Sequence, residues 1–170
     1  MSAEAVLLLD VDGVVNAFRA GWYAAPRIVQ VYSTADAYDY RIRYEPALID
    51  WLRRLHESER AEVTWCSTWC SDAAVLGDAL GLPGLPRAFT GPVTGEEASV
   101  AKFTAAQDVI TSGRRLVWVD DVEVHTYAGK CAPWTATGRA LLIGPNPSRG
   151  LRSRDLRRIE SFLSYPQGLP

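Results

Sequence analysis

Histidine and cysteine are scarce in this chain, with two and three copies among 170 residues. His56 and His125 have no metal-like partner at close spacing, so both read as structural or surface residues. Cys66, Cys70 and Cys131 are an odd number without zinc-type pairing, which argues against a zinc site and a disulfide framework. Reduced thiols and a cytoplasmic setting follow. A strong excess of one charge is also missing. The net charge is −2, so any nucleic-acid contact needs a local basic patch. No segment approaches the roughly 20 continuous apolar residues of a membrane span. Val6 to Leu9 is too short for a signal-peptide core, no basic residue precedes it, and an acidic motif follows. There is no internal repeat and no low-complexity tract.

What is present is globular composition, 48% apolar and 22% charged, which is enough to bury a core and implies one domain over residues 1–170. Two short apolar runs end in acid. Val6-Leu7-Leu8-Leu9 leads into Asp10-Val11-Asp12-Gly13-Val14, and Leu116-Val117-Trp118-Val119 leads into Asp120-Asp121. Such runs read as parallel strands buried on both faces. Open α/β sheets bind ligands beyond the carboxyl ends of these strands. Several carboxylates gathered there would repel one another, and a hard divalent cation, Mg²⁺, removes the difficulty.

Along the chain, strands are expected at about Val6–Val11, Glu62–Cys66, Ala88–Thr90, Leu116–Val119 and Arg139–Ile143. Residues 16–26 read as a loop. Residues 27–44 alternate in two runs around Ser33–Ala37, which predicts a β-hairpin standing off the sheet. Helices are expected from Pro46 to about His56, from a Ser71 or Asp72 cap to about Leu80, from Ser99 to Ser112, and from Arg152 or Ser153 to Leu163. The third would carry Val100, Phe103, Ala106, Val109 and Ile110 inward. Alternating strands and helices predict a three-layer α/β sandwich with a mostly parallel five-stranded sheet and helices on both faces.

Asp10 and Asp12 suit a nucleophile and metal ligand followed by a general acid and base, with Gly13 allowing the turn after them. A solvated turn and a calcium loop also use Asp-x-Asp-Gly, but Val14 and Val15 stand where calcium ligands should follow. Ser67 and Thr68 end a strand, where a hydroxyl can bind phosphate or cap a helix. Lys102, near the start of the expected third helix, is either a phosphate partner or a solvated lysine. Two adjacent carboxylates, Asp120 and Asp121, directly after a buried strand seldom serve packing.

In this order, the motifs resemble the haloacid dehalogenase (HAD) superfamily of phosphohydrolases. The run Leu7 to Val14 is similar to its first motif, Val63 to Thr68 to its second, Lys102 to its third, and Leu116 to Asp121 to its fourth. The resemblance implies a Rossmann-like sheet. It also implies that Asp10 forms an aspartyl-phosphate, that Asp12 acts as acid and then base, and that its carbonyl binds Mg²⁺. Ser67, or Thr68 in a competing register, would bind phosphate. Lys102 would neutralise the phosphoryl group, and Asp120 would ligate Mg²⁺ with Asp121 beside it. The segments Asp10 to Asn16, Thr64 to Trp69 and Val117 to Asp121 look closest to the HAD domains associated with Swiss-army-knife RNA-repair proteins, and the Pro145 to Leu151 loop before the last helix fits them too.

Neither gap between the motifs has room for a folded cap domain, so an open site under a small hairpin flap is expected. An open site admits a nucleotide, an RNA or DNA end or a phosphoprotein; a small metabolite fits if an oligomer partner closes the cleft. Phe18, Trp22, Tyr23, Tyr32, Tyr38, Tyr40 and Trp69, with Arg19, Arg27, Arg41 and Arg43 among them, gather around the expected mouth. They either stack bases or pack the hairpin on the core. Arg149, Arg152, Arg154, Arg157 and Arg158 form a basic cluster, either a phosphate patch or a solvated helix face. The expected function is a Mg²⁺-dependent phosphatase. A phospho-accepting receiver module and a degenerate binding domain are the competing readings, and the retention of Asp12 and of the full acidic set argues against them.

Overall fold

The structure is a computed structural model that describes residues 4–165. Four strands, β1 (Ala5–Leu9), β4 (Glu62–Trp65), β5 (Arg115–Val119) and β6 (Ala140–Ile143), form one parallel sheet in the order β4-β1-β5-β6. β2 (Arg27–Ser33) and β3 (Tyr38–Tyr44) form a separate antiparallel hairpin. The helices are α1 (Pro46–Glu57), α2 (Ala73–Leu80), α3 (Gly95–Thr111), α4 (Glu123–Thr126), α5 (Ala128–Ala136) and α6 (Ser153–Ser164).

β1 is buried at every position, and its alternate residues face different layers. Leu7 and Leu9 join α1, α2 and α6 through residues such as Leu52, Leu76 and Ile159. Val6 and Leu8 join α3, α4 and α5 through Ala106, Val124 and Cys131. These are the three expected layers. Full burial of a leucine side chain contributes roughly 1.5–3 kcal/mol, so the central strands fix the frame on which the site is built. Between β1 and β4 lie only loop, hairpin and α1, and between β4 and α3 only a 3₁₀ turn, α2 and loop. Neither connection holds a cap.

Four expectations change. The sheet has four strands, not five. The segment at Pro86–Ala88 pairs with β4 as an isolated bridge at Trp65: Trp65 N–H donates to the Pro86 carbonyl (2.8 Å) and Ala88 N–H to the Trp65 carbonyl (2.8 Å). Pro86 has no N–H to extend a ladder, and Gly91-Pro92 interrupts the chain soon after. α3 begins at Gly95, four residues before Ser99, and buries Ala98, Lys102, Ala106 and Ile110 while Val100 is 52% exposed. The inward stripe is rotated from the expected one because Lys102 faces the core. Asp72 precedes α2 without capping it with its side chain. Its buried carboxylate instead reaches the hairpin turn, accepting from Ser33 Oγ (2.9 Å), Thr34 N–H (3.1 Å), Thr34 Oγ1 and Ala35 N–H (3.4 Å). Helices α4 and α5, between β5 and β6, have no counterpart among the expected elements.

Candidate active site

β1 and β5 are neighbours in register, with Leu9 opposite Val119. The next residues are therefore Asp10 and Asp120, side by side at the carboxyl edge. Asp10 N–H donates to the Val119 carbonyl (3.0 Å), and Asp120 N–H to that of Ile143 (3.1 Å). Both carboxylates are buried. Lys102, carried inward on α3, donates from Nζ to Asp10 Oδ2 (2.8 Å) and Asp120 Oδ2 (2.7 Å). The remaining oxygens are also engaged. Asp10 Oδ1 accepts from Val11 N–H (2.8 Å), and Asp120 Oδ1 from Val122 N–H (2.9 Å) and Glu123 N–H (2.7 Å).

One ammonium faces two buried carboxylates, and the half-buried Asp121 adds more negative charge. Burial, with the Asp120 charge adding to it, pushes the Asp10 carboxyl up from its ordinary 3.8 to about 7 despite Lys102. Burial pushes Asp121 up as well, assisted by Asp120. For Lys102, burial works against the charge, but Asp10 and Asp120 outweigh it and raise the ammonium above its usual range. The cluster is thus short of positive charge.

Oxygens of Asp10, Asp120 and Asp121 lie within 4.8 Å of one another. Gly13, at φ +74°, lies so close to Asp121 that a Cβ there would stand 2.5 Å from the carboxylate. Only glycine fits that approach without strain. An all-oxygen donor set with surplus negative charge fits Mg²⁺.

Asp12 stands at the rim, exposed to solvent. Its carboxylate is held by two donors, Asn16 Nδ2 to Oδ1 (2.7 Å) and Trp69 Nε1 to Oδ2 (3.1 Å). Sequence reasoning assigns that role to neither partner, although both lie within the segments that carry the resemblance. A pocket of about 80 Å³ opens beside Asp12, lined also by Ser33, Asp36, Tyr40, Thr68 and Trp69. Of the two candidate hydroxyls, Thr68 lines this pocket. Ser67 is fully buried, its Oγ accepting from Trp69 N–H (3.4 Å).

The aromatic residues divide. Trp69 is buried, with Tyr40 edge-on at 5.3 Å. Trp22 packs on the core and donates from Nε1 to the Leu151 carbonyl (3.0 Å). Phe18, Tyr23, Tyr32 and Tyr38 stay exposed. His56 is structural, its Nδ1 accepting from Val63 N–H (3.2 Å), and His125 is exposed. The three cysteines are free and buried, and burial pushes each thiol up.

The arrangement of two carboxylates at adjacent strand tips, bridged by a lysine from α3, coincides with a family match. Residues 6–156 match the model described as the HAD domain in Swiss Army Knife RNA repair proteins. The chain belongs to this family. No curated protein and no solved structure matches it. The parallel sheet with helices on both faces is the Rossmann-like core of a HAD domain, and membership points to phosphohydrolase-type chemistry. HAD domains typically use Mg²⁺, consistent with the acidic cluster. Among the described residues, no helix is long and apolar enough to cross a membrane.

Proposed function

We propose that this HAD domain is a Mg²⁺-dependent phosphatase that hydrolyses a phosphomonoester through an aspartyl-phosphate on Asp10, acting on a nucleotide or nucleic-acid end. The observation that carries this reading is the Lys102 ammonium held between Asp10 and Asp120, with Asp12 fixed nearby by Asn16 and Trp69.

Mg²⁺ would be held by the carboxylates of Asp10, Asp120 and Asp121 and the Asp12 carbonyl, and would draw charge from the phosphoryl oxygens. A carboxylate oxygen of Asp10 attacks phosphorus while the ester P–O bond breaks. Lys102 offsets negative charge at the reacting oxygens from a buried position, where screening is weak. Protonated Asp12 gives its proton to the departing oxygen. It then takes a proton from a water whose oxygen attacks the phosphorus, releasing phosphate and the Asp10 carboxylate. Thr68, on the wall of the Asp12 pocket, is the better-placed hydroxyl for a phosphate oxygen, and Ser67 braces the turn behind it.

The lack of a cap and the RNA-repair description of the matching family support a nucleic-acid end as substrate. A second reading, a small phosphate ester closed in by another copy of the chain, is favoured by the exposed Ile28, Tyr32 and Tyr38 on the hairpin. The free, buried thiols support a cytoplasmic setting. The decisive experiment is phosphate release from p-nitrophenyl phosphate with Mg²⁺ or EDTA, for wild type and Asp10→Asn. Turnover that needs both the metal and Asp10 supports the reading; none in wild type with Mg²⁺ refutes it.

A further inference from the structure

The loop after β6 carries a second, basic pocket. Asn146, Arg149, Gly150, Arg152, Ser153 and Arg154 line a cavity of about 220 Å³. Arg152 is held in place by neutral groups, donating from Nη1 to the Gly21 carbonyl (2.9 Å) and from Nη2 to that of Trp22 (3.5 Å). Its position is therefore fixed, and no ion pair to its guanidinium occurs among the described residues. Arg149 is exposed, and no ion pair to it occurs among the described residues. The acid nearby is Asp155. One of its oxygens accepts from Arg152 N–H (3.0 Å), and the other lies 3.7 Å from Arg154 Nε and 4.0 Å from Arg158 Nη1. Three guanidinium groups against one carboxylate make a local anion site on a chain whose net charge is −2.

Backbone bonds join this pocket to the loop that follows Asp12. Leu151 N–H donates to the Val14 carbonyl (2.9 Å), and Arg19 N–H to that of Ser148 (2.8 Å). Gly150 presses so close that a Cβ would stand 2.3 Å from the Val14 oxygen. The loop bridging the two sites presents Phe18, 70% exposed, with the Arg43 guanidinium 5.6 Å from its ring centre, and Tyr23, 94% exposed. Exposed aromatic faces beside cationic pockets suit stacked bases and a phosphate backbone.

We propose that the Arg149–Arg152–Arg154 pocket holds an internal phosphodiester of a single-stranded nucleic acid whose terminal phosphate lies at Asp10. This rests on the phosphatase reading for the terminal phosphate. It adds a polymer-binding site that makes strands of several nucleotides better substrates than mononucleotides.

The test is fluorescence anisotropy of a labelled, end-phosphorylated single-stranded RNA ten-mer, with the full chain carrying Asp10→Asn to prevent turnover. Arg149→Ala/Arg154→Ala is compared with Arg54→Ala/Lys130→Ala, which removes the same charge elsewhere. The pocket pair should weaken binding about tenfold or more. It should also flatten the slope of log K against log salt by about 0.7 for each RNA phosphate that is no longer neutralised. Arg149→Lys/Arg154→Lys should recover most of the affinity. Equal weakening by the two alanine pairs, or no binding by the parent, overturns the proposal. So does a pocket pair that weakens binding of inorganic phosphate but not of RNA, since the site would then serve a free anion. Wild-type turnover of p-nitrophenyl phosphate is read separately. Turnover without a pocket effect sinks this inference alone, and a pocket effect without turnover sinks the phosphatase reading.

Discussion

Replacing Asp10 by asparagine should abolish turnover and, in the absence of metal, stabilise the protein. Asp10 is buried beside Asp120, and Lys102 is shared between them. Folding raises its carboxyl from 3.8 to about 7, mainly through burial. A carboxyl raised on folding binds its proton more tightly in the folded state. Metal-free stability therefore falls as pH rises from about 4 to about 7, and the full penalty stands above pH 7. At roughly 1.4 kcal/mol for each tenfold change, the penalty is on the order of 4 kcal/mol. Asparagine keeps the shape and an oxygen acceptor for Lys102 but carries no charge to bury. In EDTA at pH 8 the variant should gain about 2–4 kcal/mol, a melting temperature higher by several degrees for a domain of this size. Mg²⁺ should close most of the gap: at a hundredfold excess over its Kd it stabilises wild type by about 2.7 kcal/mol and the variant far less. Thermal melts of both proteins between pH 5 and 8, with EDTA or Mg²⁺, read all of this. A variant that melts below wild type in EDTA at pH 8, or gains as much as wild type from Mg²⁺, would refute the charge argument.

Asp72→Ala should free the hairpin turn, leaving the Ser33 and Thr34 groups without their acceptor at a cost of about 2–4 kcal/mol, read as faster hydrogen exchange at the Thr34 amide. Burial works to raise the Asp72 carboxyl, but hydrogen bonds from Thr34 and Ser33 outweigh it and lower it. The clamp is thus intact above the ordinary carboxylate range and is lost as pH falls through the lowered value; protection of Thr34 that survives strong acid would contradict this. Gly13→Ala, at φ +74° with its Cβ 2.5 Å from the Asp121 carboxylate, should cost about 1–3 kcal/mol and weaken Mg²⁺ binding at least tenfold by calorimetry. Trp69→Phe keeps the ring but removes the indole donor to Asp12, so kcat should fall about tenfold or more with KM little changed; an unaltered kcat would show that Asp12 needs no such support.

The strand runs, their acidic ends, the hairpin and four of the helices are legible because each rests on local patterning. Buried parallel strands must be apolar throughout, and a turn must follow them. The order of the motifs is also enough to carry the resemblance. Lys102 can be named from sequence but not placed, because a lone lysine in a helix carries no local signal of burial; only the packing of α3 against β1 and β5 turns it between two carboxylates. Asp72 misleads for a related reason. A cap and a long-range clamp require the same residue, and the choice depends on the hairpin, which is distant in sequence. The bonds from Asn16 and Trp69 to Asp12, the approach of Gly13 to Asp121, and the joining of the arginine loop to the catalytic segment likewise arise from strand order and loop packing. Composition and periodicity determined the elements and their chemistry. Tertiary structure decided which charges share a neighbourhood, because electrostatic and hydrogen-bond energies depend on distances that only the folded chain sets.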